Sequence, residues 1–433
     1  MSVLERLMWR AQQAEVFEIE SEATEIGFEA NELKSFKVEQ TQGLAARVMV
    51  DGRLGFAASS DIRADDKVVE GALESARHGD AIDLCFPEAQ PGPSVQVYDR
   101  QLAELATIRL IEIGREIISA VREAEPEAQV KMDLERRVRR TTIRNSAGAG
   151  VSVQKSPFSI SVMVERVRTD DVLLLFDYYN TAVWDEGYLQ FAHRIAEKLR
   201  LAKRSASLRS GRMPVLFSPS GVPAVGLPLM LGLNGKDVYR GISPMAGRIE
   251  EQLFDEKLTL VDDPTLDGRP GSGSHDDEGV PRRRRVLIDR GVLAGFIYDL
   301  KTAAEAGAEP TGSGQRSLFA PPSPEFSNLV LEGGDTPLAD IISGIHEGLL
   351  VESPLGLGQG NVISGSFSNN LSLAFKVEKG QIVGRVKDVA ISGNIYQDLR
   401  QIGAFSQERE WVYGGVSAPY LLLAQLSVVT KAG

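Results

Sequence analysis

The densest set of potential ligands and acid–base groups in the chain is one short run, Ser272-Gly273-Ser274-His275-Asp276-Asp277-Glu278-Gly279. Carboxylates and an imidazole so close together could hold a divalent cation, because hard cations take oxygen ligands. Adjacent residues of an extended segment point to opposite sides, however, whereas loop ligands usually alternate. Two other readings stand beside the cation site: a solvated turn, and a loop ordered against a partner subunit or a peptide. The last makes Ser274, His275, Asp276, Asp277, Glu278 and Gly279 the candidate contact residues. Nucleophilic chemistry has thinner support. Ser218, Ser220 and Ser274 lie in Gly/Pro-rich turns, no G-x-S-x-G elbow occurs, and only His275 adjoins one of them, although a Ser-His-Asp set can assemble across a fold. Gly356-Leu357-Gly358-Gln359-Gly360-Asn361 lacks the strand–loop–helix setting and the Lys-Ser/Thr ending of a phosphate loop, and reads as a tight or flexible loop beside a cavity. His193 reads as a structural or surface residue of a helix, and His78 as a cation near a helix C-terminus. The single cysteine, Cys85, can form neither an internal disulfide nor a thiolate cage. It reads as a small buried or half-buried apolar residue, and it fits a reducing cytoplasm.

The elements that must position these groups belong to a chain of 433 residues, which implies two or three structural units. A hydrophobic content of 42% with 25% charged residues is that of a globular protein. No apolar run is long enough for a membrane helix. Met1 to Glu22 is amphipathic, without the apolar core of a signal peptide, and reads as mature sequence. The net charge of −12 disfavours direct nucleic-acid binding. Arg282-Arg283-Arg284-Arg285 is the best basic patch, but it follows an acidic cluster and reads as a solvated, locally neutralised strand start.

Apolar periodicity predicts a helix over Met1 to Ala14, then strands over Val16 to Glu29 and Lys34 to Gln42. A hairpin over Leu44 to Ser59 turns at Asp51-Gly52. Helices follow at Ala64 to His78, with Asp61 as a possible N-cap, at Leu102 to Ala124, and at Asp185 to Leu201. Pro87 to Pro93 reads as an extended linker. Strands are expected at Val130 to Arg140, Thr141 to Asn145, Val151 to Val153 and Phe158 to Arg168. Beyond a basic connector, Arg200 to Arg212, the chain becomes rich in short strands: Pro214 to Phe217, Lys257 to Val261, Arg285 to Ile288, Leu293 to Tyr298, Asn328 to Glu332, Leu349 to Ser353, Leu371 to Glu378 and Gln381 to Ile391. Two of its hairpins turn at Asp289-Arg290-Gly291 and Glu378-Lys379-Gly380. The expected fold class is α+β: an N-terminal α/β unit of antiparallel sheet with covering helices, and a C-terminal β-rich mixed sheet or partly closed barrel. The expected regions are 1–90, 91–212 and 213–433.

Four ordered blocks in the second half carry a resemblance. They are Phe217 to Pro223; Gly247-Arg248-Ile249 through Leu260 to Pro264; Asp276 to Pro281 leading into Val286 to Phe296; and Ile391-Ser392-Gly393-Asn394 with Ser417-Ala418-Pro419. Their order and spacing resemble the C-terminal domain of the TldD/PmbA family, and the first half is consistent with that family's earlier regions. The resemblance implies a cytoplasmic two-subunit peptidase that processes unfolded peptides in a closed cavity. Its TldD-type subunit binds zinc through an H-E-x-x-x-H helix and a later cysteine, with the glutamate as general base. Here the expected ligand helix, Ala224 to Gly235, has no histidine and no carboxylate. The one His-Glu pair, His346-Glu347, has Leu350 and Val351 where a second ligand would stand, and Cys85 lies in the other half of the chain. This is the pattern of the PmbA-type (TldE) member.

The resemblance therefore implies a non-catalytic subunit, inactive alone and with no cofactor of its own. It would work with a zinc-bearing TldD-type partner on an extended or unfolded peptide, taken up as a strand on an exposed sheet edge, and could form a homodimer in isolation. It implies neither membrane nor direct nucleic-acid contact. Two alternatives remain at the level of sequence: a self-sufficient hydrolase with a non-standard site, and a regulatory protein acting on a toxin–antitoxin or gyrase system, the latter suggested by the family label "modulator of DNA gyrase". Met230, Leu231, Leu233 and Phe254 read as core by default, with an interface as the alternative.

Overall fold

Four two-residue hairpin turns set the register of both sheets in the computed structural model, which describes residues 1–169, 171–359 and 361–431. Ala30-Asn31, Asp51-Gly52, Arg290-Gly291 and Lys379-Gly380 each place two successive residues at positive φ. That conformation matches the right-handed twist of the flanking strands.

The first half contains α1 (Val3–Met8), β1 (Gln13–Glu29), β2 (Glu32–Val50), β3 (Arg53–Ser59), α2 (Asp65–Ala76), α3 (Arg100–Ala103) and α4 (Thr107–Ala124). It continues through β4 (Gln129–Asn145), β5 (Gly150–Lys155), β6 (Phe158–Arg168), β7 (Asp171–Thr181) and α5 (Gly187–Leu201). The strands form one antiparallel sheet in the order β3-β2-β1-β4-β6-β7, with β5 beside the second half of β4. The regions expected at 1–90 and 91–212 thus share a single sheet. Helix α1 opens with a capping box between Ser2 and Glu5. Helix α4 buries Leu110, Ile113, Ile117 and Val121 against the sheet and α5, the apolar stripe its spacing predicts.

The second half begins with β8 (Gly211–Phe217), α6 (Pro223–Gly232), α7 (Gly235–Tyr239), β9 (Leu260–Asp262), β10 (Arg285–Asp289), β11 (Val292–Leu293) and α8 (Leu300–Ala306). Next come β12 (Gly314–Gln315), β13 (Ser323–Pro324), β14 (Leu329–Leu331), α9 (Leu338–Ser343) and β15 (Glu347–Pro354). Last are β16 (Ser366–Glu378), β17 (Gln381–Arg385), β18 (Val389–Asn394), α10 (Ile395–Asp398), β19 (Ile402–Val412) and β20 (Val416–Thr430). Strands β8, β15, β16, β18 and β20 pair in sequence and β20 pairs back to β8, which closes a five-stranded barrel. Strands β14, β9, β10 and β11 extend the sheet beyond β20. The fold is α+β, with an antiparallel N-terminal sheet and a mixed C-terminal sheet closed into a barrel. Leu216, Leu350, Leu373 and Phe375 of the barrel strands share one core with α4, α5 and the first sheet.

Several sequence expectations are corrected. The first helix stops at Met8, and the strand that follows begins at Gln13, because Ala14, Val16 and Phe17 are buried within the sheet, on both of its faces. The helix expected from Leu102 is two helices separated at Glu104–Ala106. The α2 N-cap position is Ala64, not Asp61, and has no side-chain cap. Strands β7, β19 and β20 were not anticipated, and Gln381 to Ile391 is two strands interrupted at Val386–Asp388. Cys85 is exposed, since Leu84 and Phe86 on either side turn inward in an extended segment.

Candidate functional site

After β8, the turn Ser218–Val222 is closed by bonds from Gly221 and Val222 N–H to the Ser218 carbonyl (2.8 and 3.0 Å). Helix α6 follows directly, and its sequence, PAVGLPLMLG, contains no imidazole, thiolate or carboxylate. Ala224, Val225, Pro228 and Leu229 face the barrel core, while Leu227, Met230 and Leu231 are half-buried. Leu233 and Phe254 are buried as expected. Two neutral hydroxyls bond to this helix: Ser243 Oγ donates to the Gly232 carbonyl at 2.6 Å, and the Tyr396 hydroxyl reaches the Pro228 carbonyl at 3.4 Å. Among the described residues no group of three or more His, Cys, Asp or Glu could hold a metal ion. The residues at the position of the expected ligand helix do not fit zinc, which takes nitrogen, thiolate or carboxylate donors.

The run Ser274 to Gly279 folds as a tight loop bridged at His275 and Pro281, with Gly279 at positive φ. Its residues alternate, as an extended segment requires. Asp276 and Glu278 are buried, while Ser274, His275 and Asp277 are half-buried. The Asp276 carboxylate accepts the backbone N–H groups of Glu278, Val280 and Gly314, each at 2.9 Å. Asp277 accepts the Arg316 N–H at 3.1 Å. His275 pins the proline-rich linker, its Nε2 lying 2.9 Å from the Gln90 carbonyl and its Nδ1 3.0 Å from Ser274 Oγ.

Glu278 is one of the links between the two halves of the chain. Its Oε1 lies 2.6 Å from Nη1 of Arg47 on β2, and its Oε2 accepts the Leu300 N–H at 2.7 Å. Arg47 also grips Glu15 of β1 bidentately, Nε to Oε1 at 3.0 Å and Nη2 to Oε2 at 2.7 Å. Arg316 Nη1 lies 2.7 Å from Glu15 Oε1, off the line of a hydrogen bond, and its guanidinium stacks 4.0 Å above the Phe17 ring. Burial pushes the Glu278 carboxyl up to about 8 against the pull of Arg47, and pushes Asp276 up to about 6. Burial acts on Glu15 in the same sense, but Arg316 and Arg47 together hold it below the usual carboxylate range.

A second buried network went unseen in the sequence. Lys198 of α5 contacts Glu352 of β15 at 2.9 Å and donates to Ser220 Oγ at 3.2 Å, while Ser218 Oγ donates to Glu352 Oε2 at 3.0 Å. Arg194 pairs with Asp177 and Glu410. Both serines are committed to this ion cluster, where no histidine participates. Their partners lie on β7, α5 and β15, too far along the chain for local spacing to reveal. His193 is exposed on α5, 3.6 Å from Glu197. Of the arginine run, Arg283 and Arg284 are exposed and Arg284 pairs with Glu332, but Arg282 is buried, contrary to the expected solvated start, because it lies beneath the turn at Gly271. Gly360, in the expected glycine-rich loop, lies outside the described residues.

An open sheet edge completes the inventory. Strand β3 pairs only with Leu44 to Val50 of β2, so Glu32 to Gly43 pairs with β1 on one side and, among the described residues, with no strand on the other. Glu32 to Gln42 is exposed apart from half-buried Thr41, and Leu33, Phe36 and Val38 present apolar side chains there. No helix among the described residues is long and apolar enough to cross a membrane.

Residues 210–430 match the family model described as the PmbA/TldA metallopeptidase C-terminal domain, and residues 14–76 match PmbA/TldA metallopeptidase domain 1. A metalloprotease TldD homolog of Haemophilus influenzae is 30% identical over 254 residues, covering 55% of this chain and 52% of that protein. The structure of TldE from Thermococcus kodakarensis superposes with a TM-score of 0.90 at 24% identity, covering 99% of both chains. That of a putative modulator of a DNA gyrase from Thermotoga maritima gives 0.87 at 23% identity, again with 99% of both chains covered. The chain spans about half the length of the metalloprotease relatives it matches.

Proposed function

Because this chain belongs to the PmbA/TldD family of metallopeptidase-related proteins, we propose that it is the non-catalytic subunit of a heteromeric zinc peptidase, completing the chamber in which a TldD-type partner processes unfolded peptides in the cytoplasm. The observation that carries this reading is α6. At the place where a zinc peptidase of this family needs two imidazoles and a general base, the helix offers only aliphatic side chains, glycine and proline. Among the described residues the side chains that bond to this helix are the neutral hydroxyls of Ser243 and Tyr396, which do not acidify a bound water.

In this reading the chain contributes surface and shape. The open edge Glu32 to Gly43 supports strand addition, since its outward backbone groups can pair with an extended peptide or a partner strand without displacing anything. Half-buried Leu227, Met230 and Leu231 on α6, followed by exposed Tyr239 and Ile242, supply apolar surface of the kind a permanent partner covers. The fixed ion networks hold the sheet and barrel in one relative position. The test is gentle purification of the tagged chain from its native host, with zinc content and peptide cleavage followed through fractionation. A co-eluting chain that carries an H-E-x-x-x-H helix, with zinc and activity tracking it, is the expected result. Zinc or peptidase activity in this chain purified alone would overturn the reading.

A further inference from the structure

Between β4, β5 and the loop after β9 lies a cavity of about 200 Å³, lined by Arg137, Arg139, Lys155, Arg282, His275 and Asp277 among others. Three of its four cations have no carboxylate partner among the described residues. Arg282 is 6% exposed; its Nη1 donates to the Gly271 carbonyl at 2.6 Å and its Nε has no partner. Lys155 Nζ donates to the backbone carbonyls of Ser272 (2.5 Å) and Pro270 (3.2 Å). Arg139 donates from Nε to Thr141 Oγ1 at 3.2 Å. Arg137 is paired with Glu135. The lining carboxylates are out of ion-pair contact with these three cations, although Arg282 pulls on Asp276 and Asp277 on Lys155; Asp276 accepts three backbone N–H groups and Asp277 the Arg316 N–H.

Charged groups held out of water are ordinarily paired. Here one wall brings guanidinium and ammonium groups to a common space without that pairing. We propose that this cavity is a binding site for a small oxyanion, a carboxylate or phosphate group, held by Arg139, Lys155 and Arg282.

The planar forks of Arg139 and Arg282 suit the two oxygens of such a group, and Lys155 supplies a point charge. Burial, with Arg282 and Arg139 adding to it against the opposing pull of Asp277, takes the Lys155 ammonium down to about 7. A bound anion restores the ammonium, so binding near neutral pH takes up a proton. The volume admits a group of amino-acid size, which makes a free anion and the carboxylate of a small organic acid the two sources to separate.

The test is isothermal titration calorimetry of the full chain with inorganic phosphate and, separately, malonate, at fixed ionic strength and in two buffers of different ionisation enthalpy at pH 7.5. Expected is saturable one-to-one binding of at least one anion, the tighter one identifying the source. Lys155→Met and Arg139→Gln should each weaken it about tenfold or more, the loss of one charge-assisted bond. The buffer-dependent heat should vanish in Lys155→Met, a signature that simple loss of packing would not produce. Arg139 is half-buried on a strand and Lys155→Met removes an unpaired charge, so both variants should fold, as circular dichroism would verify. Absence of saturable heat with both anions up to about 10 mM, or wild-type affinity in both folded variants, overturns the proposal.

Discussion

Replacing Arg47 by methionine tests whether the Glu15–Arg47–Glu278 network holds the two halves of the chain together. Arg47 is 1% exposed and donates three charge-assisted bonds, two to Glu15 and one to Glu278. Methionine keeps most of the aliphatic volume, so the loss is electrostatic. Glu15 retains only the misaligned contact with Arg316, and Glu278 only the Leu300 N–H. Taken singly, the three bonds sum to roughly 4–9 kcal/mol, but removing one partner of a buried ion pair typically costs about 3–5 kcal/mol because the stranded carboxyl takes up a proton. The loss is expected in that range at pH 8, read by equilibrium urea unfolding through the fluorescence of half-buried Trp184 and Trp411. The pH dependence has a definite sign. In the wild type the depressed Glu15 carboxyl contributes stability above its unfolded value, and that contribution is lost as pH falls. The variant lacks this contribution because only Arg316 is left to offset the burial of Glu15, whereas the raised Glu278 carboxyl costs both proteins stability as pH rises to about 8. The gap between the two proteins should therefore widen from pH 5 to pH 8. Adding Glu278→Gln to Arg47→Met should recover part of the loss at pH 8 and little at pH 5. A loss below about 1 kcal/mol, or a gap independent of pH, would refute the network as an electrostatic clamp.

Lys155→Met should stabilise the anion-free protein near pH 6. The depressed ammonium weakens the wild type where the folded group must hold its proton, and wild-type stability should rise by about 1.4 kcal/mol per pH unit between 7 and 10.5, a slope the variant lacks. Phosphate should flatten that slope in the wild type if the cavity takes it. Gly291→Val should destabilise by about 2 kcal/mol or more: φ is +78° there, and a Cβ would lie 2.3 Å from the Phe254 carbonyl oxygen. The corresponding urea midpoint should fall. Phe36→Asp with Val38→Asp places two charges on exposed positions of the open edge. Stability should change by no more than about 0.5 kcal/mol per site while co-purification of a partner is lost, and unaltered co-purification would remove this edge from the interface.

What the sequence made legible follows from the range of each signal. Turn chemistry acts within four residues, so Asp51-Gly52, Arg290-Gly291 and Lys379-Gly380 could be placed, and Phe158 to Arg168 was bounded by its alternation. Strand β7 was missed because Val172 to Phe176 is a continuous apolar run, whose periodicity does not separate a buried strand from a helix. The acidic run from Asp276 to Glu278 looked solvated or partner-facing because no cation stands near enough in sequence to neutralise its buried members. Arg47 lies 231 positions away from Glu278 and meets it only when β2 reaches the barrel domain. Arg282 looked solvated for the converse reason, since the turn that covers it closes through residues 264–273.

The two networks and the open edge divide the molecule by the cost of moving each part. Displacing the sheet from the barrel would break the buried contacts of Arg47 with Glu278 and of Lys198 with Glu352, leaving polar groups without partners. That relative placement is therefore stiff. The outer part of β2 is held by one ladder, to β1, and Glu32 to Gln42 buries almost nothing. It opens at low cost, yet it keeps strand register with β1 and carries Phe36 and Val38 outward. An unprotected edge of this length invites pairing with any extended chain, and the charges available to deter it, Glu32, Lys34, Lys37 and Glu39, are of both signs and only partly offset the two apolar side chains. A rigid body with one compliant, adhesive rim can accept an extended segment without moving its core. Acceptance of that kind requires no chemistry of α6, and this is why the aliphatic helix and the open edge are compatible features of one chain.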